Sequence, residues 1–102
     1  MFCYTVTCTF ENPNVAEQWV DWLRDEHIAE VIGAGAVAAD VVLLETTPVS
    51  CQVHYRFPDR TTYEHYEQKH APALRDQGLH RFPLELGLSY ERWSGEIVAS
   101  YP

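Results

Sequence analysis

The sequence predicts an α+β sandwich in the order βαββαβ, a four-stranded antiparallel sheet with two helices on one face. Three observations point there. Apolar residues alternate strictly in "MFCYTVTCTF" and again in "CQVHYRFP"; helical periodicity fills the stretch after each; and 102 residues leave room for a single domain over 1–102.

From Phe2 to Phe10 the alternation puts Phe2, Tyr4, Val6, Cys8 and Phe10 on one side and Cys3, Thr5, Thr7 and Thr9 on the other, as in a half-buried strand over 2–10. "ENPN" supplies a turn, with Asn14 as the expected N-cap and Glu17 three positions on as in a capping box. A helix is expected over 14–34, stopped by Gly33 and Gly35. "VAADVVLLETT" reads as a strand over 37–46, "TPVS" as a hairpin turn and "CQVHYRFP" as a strand over 50–57. Asp59 opens a second helix over 59–77, which Pro72 must kink or restart because it lacks an N–H. "LSYERWSGEIV" supplies the last strand, over 88–98. Two split β-α-β halves of this kind make a ferredoxin-like sandwich.

The halves look related. Aligning His27 with His70 also aligns Val20 with Tyr63, Leu23 with Tyr66, Val31 with Leu74 and Gly35 with Gly78. At about 100° per residue, Ala16, Val20, Leu23, Val31 and Ala34 fall within about 40° of His27. Both His27 and His70 are therefore expected to face the sheet. Trp22, Ile28 and Ile32 fall outside that stripe and form a second apolar patch of the kind that marks a subunit contact.

Composition narrows the function classes. A net charge of -8 without a basic run argues against nucleic acid and anionic membrane surfaces. No apolar run reaches the roughly 20 residues of a membrane span, and the N-terminus alternates like a strand rather than a signal peptide, so the cytoplasm is expected. Cys3, Cys8 and Cys51 lack CxxC spacing and suggest neither a disulfide framework nor a zinc site.

The candidate catalytic residues are His27 and His70, each able to act as acid or base near neutral pH. Satisfied core histidines would look the same in sequence. Candidate ligand contacts are Tyr63 and Tyr66 beside His70, and His54, Arg56 and Trp93 on the other sheet face. Neither helix carries a His-x-x-x-His pair, and no metal or cofactor is expected.

The stretches "WLRDEHI", "YEQKHAPALR" and "RFP" resemble a small bacterial domain family of unknown function over nearly the whole chain. The resemblance implies a ferredoxin-like fold of the dimeric α/β-barrel group, similar in layout to antibiotic-biosynthesis monooxygenases, EthD-like proteins and stress-responsive barrel proteins. It brings no established activity. The reading carried forward is a homodimeric small-molecule-binding or structural protein. Its alternative is a cofactor-independent, monooxygenase- or isomerase-like enzyme using His27 or His70 on an aromatic ligand. A haem or metal binder, with His70, Tyr63 and Tyr66 at a haem, is the weaker alternative.

Overall fold

A computed structural model describes residues Met1–Pro102. Its centre is β1 (Phe2–Phe10), which pairs antiparallel with β3 (Val49–Phe57) on one side and β4 (Leu88–Glu96) on the other; β2 (Ala38–Leu44) closes the order β2-β3-β1-β4. This is the ferredoxin-like arrangement the sequence predicts. Pairing Tyr4 with Tyr55, Val6 with Val53 and Cys8 with Cys51 puts the aromatic and aliphatic positions of the two central strands on one face, because directly opposed residues share a side. Helices cover that face.

The first helical segment comprises α1 (Pro13–Trp22), a single π-helical turn (Leu23–His27) and α2 (Ile28–Gly33). Its cap differs from expectation. Asn12, not Asn14, is the N-cap: its side chain accepts from the Asn14 N–H at 2.9 Å, and Pro13 takes the first helical position, where a missing N–H costs nothing. The second segment is two helices, α3 (Arg60–Lys69), capped by Asp59 through the Thr62 N–H at 2.7 Å, and α4 (Ala71–Arg81), restarted at Pro72.

Helix α4 runs past Gly78, where the sequence suggested a stop. Gly78 is a packing glycine: a Cβ there would meet Trp22 at 3.3 Å, so the missing side chain lets α4 lie against the indole. Phe82, just after α4, packs edge-on to the same ring. Trp22 is consequently buried, and the expected outer patch of Trp22, Ile28 and Ile32 shrinks to an exposed Ile32 and a half-buried Ile28.

Edge strand β2 is less covered. Val41 and Leu43 share the helix side with Val53 and Cys51 yet remain exposed. Replacing Gly78 by Leu should destabilise the fold by about 1–3 kcal/mol through overpacking against Trp22. The same change in a Trp22→Leu background should cost measurably less. Urea midpoints of the four proteins test this, and additive losses would count against the contact.

Candidate functional site

Between the helices and the β1–β4 side of the sheet lies a cavity of about 470 Å³. Its floor is Tyr4, Val6, Val53 and Tyr55; its roof is Trp22, Leu23, His27 and Leu74. Trp19 and Tyr90 form an aromatic side wall, joined by a hydrogen bond from the indole N–H to the phenol oxygen at 3.2 Å. Arg75 and Arg92 supply the charge. No Asp or Glu lines the space.

His27 owes its position to the π-helical turn. Residues five apart on an ideal α-helix lie about 140° from each other, but the wider turn, closed by the Ile28 N–H to the Leu23 carbonyl, brings residues 22 and 27 together. Their rings stack with centroids 4.3 Å apart and planes 20° from parallel. The Nδ1 atom of His27 is buried without a hydrogen-bond partner. Burial, reinforced by the Arg92 charge, pulls the imidazole down to about 4, so it is neutral at pH 7.

A second polar cluster borders the floor. One guanidinium nitrogen of Arg75, Nη2, donates to the Tyr4 hydroxyl at 3.1 Å and to both Glu67 oxygens at 2.7 and 3.0 Å, while the Tyr63 hydroxyl donates to Glu67 at 2.9 Å. Arg75 is thereby tied to a carboxylate outside the cavity lining. Arg92 has no such partner and lies 4.9 Å from the Tyr90 ring centroid. Burial raises the phenols of Tyr55 and Tyr66, and pushes that of Tyr90 up to about 12, leaving all three protonated near neutrality.

Of the sequence candidates, His27 and Tyr66 line the cavity. Tyr63 packs beside it on Phe2, Tyr4 and Phe57. The expectation for His70 is corrected. It sits at the break between α3 and α4 with φ -121° and ψ -39°, is exposed, and contacts His65 rather than the sheet. The Pro72 restart ends the stripe that would have turned it inward, so the proposed equivalence of His27 and His70 fails. The haem arrangement built on His70, Tyr63 and Tyr66 fails with it.

His54, Arg56 and Trp93 lie on the uncovered sheet face, away from the cavity. There His54 Nδ1 meets the Thr5 hydroxyl at 3.3 Å and its Nε2 meets Gln52 at 2.9 Å, while Gln52 donates to Thr7 at 3.2 Å. No group of three or more His, Cys, Asp or Glu side chains converges on a metal position. Arg75, Tyr90 and Arg92 were not singled out from sequence. For the last two a signal existed, since placing Glu91 and Trp93 on one face of β4 puts Tyr90 and Arg92 on the other.

The family described as "Domain of unknown function (DUF4286)" matches residues 1–88. No curated protein matches the chain. Among solved structures, a dimeric ferredoxin-like protein from an uncultured marine organism is similar, with 11% identity and a TM-score of 0.72, over 99% of this chain and 97% of that one. A monooxygenase from the gene ActVA-Orf6 of Streptomyces coelicolor, in complex with nanaomycin D, shares 15% identity with a TM-score of 0.65 over 97% and 92%. An antibiotic biosynthesis monooxygenase shares 14% with a TM-score of 0.59 over 95% and 99%. At these identities the likeness is one of fold.

The depressed imidazole makes a pH prediction. Between pH 6.5 and about 4 the unfolded chain binds a proton at residue 27 that the folded chain refuses. The associated stability is therefore fully present above pH 6.5 and lost as pH falls toward 4, by roughly 3 kcal/mol in all. A His27→Leu variant should lose that much less between pH 7 and 4 than the unmodified protein. Equal losses in urea denaturation would contradict the burial of a neutral ring.

Proposed function

The chain belongs to the DUF4286 family of domains of unknown function, and from its geometry we propose a homodimeric protein that binds a small planar aromatic molecule in the helix–sheet cavity. The observation that carries this reading is the cavity itself: about 470 Å³ walled by aromatic side chains, with the unpaired His27 in its roof. Spaces of this volume, apolar with a few polar groups, suit small ligands. A buried ring nitrogen without a partner is costly, and a half-turn of the imidazole on its Trp22 stack would offer Nδ1 to a ligand's hydroxyl or amide. Tyr66 would contact the same ligand.

Binding is favoured over acid/base catalysis by the neutral state of His27. A general base works best when it titrates near the operating pH, and a ring held at about 4 is a weak proton acceptor. The monooxygenase- or isomerase-like alternative is supported only by likeness of fold. The cytoplasm suits the three free thiols, two of them buried.

We place the second copy on the uncovered sheet face. Thr5 is fully buried there even in one chain and is hydrogen-bonded to His54, so these polar groups need little from water. Trp93 and Val42 are the apolar groups left exposed beside them. The similar marine protein is described as dimeric. Light scattering should give twice the chain mass at micromolar concentration, and Trp93→Asp should halve it without altering the circular dichroism. A single-chain mass for the unmodified protein would reject the dimer.

Titration with 2-naphthamide, followed by Trp19 and Trp22 emission, tests the cavity. A saturable change is expected, weakened roughly 3- to 10-fold in His27→Leu by loss of one hydrogen bond. No saturable change with this or other two-ring aromatics would reject the reading.

A further inference from the structure

Charge is distributed against the average of the chain at one place. The protein carries 15 acidic and 7 basic residues. Its cavity nevertheless has two arginines in the wall and no carboxylate. Arg75 is neutralised by Glu67 at 2.7 Å. Arg92 is not: its register opposite Val6 turns it to the helix side of β4, and its guanidinium lies 4.9 Å from the Tyr90 ring with no carboxylate within ion-pair reach. The neighbours Glu91 and Trp93 alternate to the opposite face.

We propose that the ligand of this cavity is an amphiphilic organic anion, its planar apolar body among Trp19, Trp22 and Tyr90 and its single negative group on Arg92. This rests on the binding reading above and adds the ligand's charge and orientation. An apolar pocket with one unpaired cation at its wall rewards one geometry, in which the ring system leaves water while the anion stays at the exposed guanidinium. Arg92 is exposed, so the anion gains a charge-assisted, bidentate contact there without full desolvation. A dianion or a cation gains less. The second arginine is already occupied, and the phenols of Tyr55 and Tyr66 are held protonated by burial. The chain's net charge of -8 also discourages anions that cannot use the apolar walls.

The pair 2-naphthoate and 2-naphthamide isolates the charge, since the two share a ring system and differ in the carboxylate. By tryptophan emission at pH 7.5, naphthoate should bind about tenfold tighter than the amide, an advantage that shrinks with added salt. Arg92→Gln should remove about tenfold from naphthoate affinity and change the amide by less than twofold, while Arg92→Lys restores most of the loss. Amide binding in each variant reports that the cavity is still folded. Equal affinities for the two probes, or an Arg92→Gln effect of the same size on both, would overturn the anion assignment and leave the cavity reading standing. Binding of neither probe would overturn both.

Discussion

The seam between α1 and α4 holds the rest of the structure in place, and Trp22 fills it. Its ring meets Gly78 on one side, Phe82 on its edge and the His27 imidazole on its face. Each contact needs a separate local decision by the chain. A glycine must sit in the interior of α4 despite its unfavourable helical propensity, and a π-helical turn must interrupt the first helical segment. Both are weak choices taken locally. Together they bury an indole and stack it on the histidine that roofs the space over the sheet.

On the opposite side of the sheet the same economy uses polar groups. Thr5, His54, Gln52 and Thr7 form a continuous hydrogen-bonded ladder across β1 and β3, so these four side chains find partners on a face without helical cover. The two faces are thus specialised by one alternating pattern. In β1 and β3 the aromatic rings go inward, and hydroxyl, amide and imidazole groups go outward.

That pattern is why the strands were legible: a period of two survives whatever packs on it, and β1 begins and ends where the alternation does. The inward placement of His27 was legible from the helical stripe, although for an incomplete reason, because "LRDEH" carries no sign of a π-helical turn. His70 was misread because periodicity was continued through a point where Pro72 restarts the helix. The second helix outruns its expected end at residue 77 because Gly78 serves a neighbouring ring, and in sequence such a glycine looks like one that ends a helix. Arg92 escaped notice because its importance lies in what it lacks. An arginine without a carboxylate partner is a property of three-dimensional surroundings, and a chain with 15 acids gives every expectation of a partner.

The cavity is also a statement about folding. Apolar space left unfilled forfeits dispersion contacts, and a space of about 470 Å³ leaves the aromatic side chains around it without packing partners on one side. Closing the gap would take only larger side chains at positions such as Val6 or Leu74, substitutions open to any sequence of this fold. A chain selected for stability alone has no reason to keep the space. The wide helical turn, the stacked rings above it and the unpaired guanidinium are coherent as the walls of the proposed ligand site.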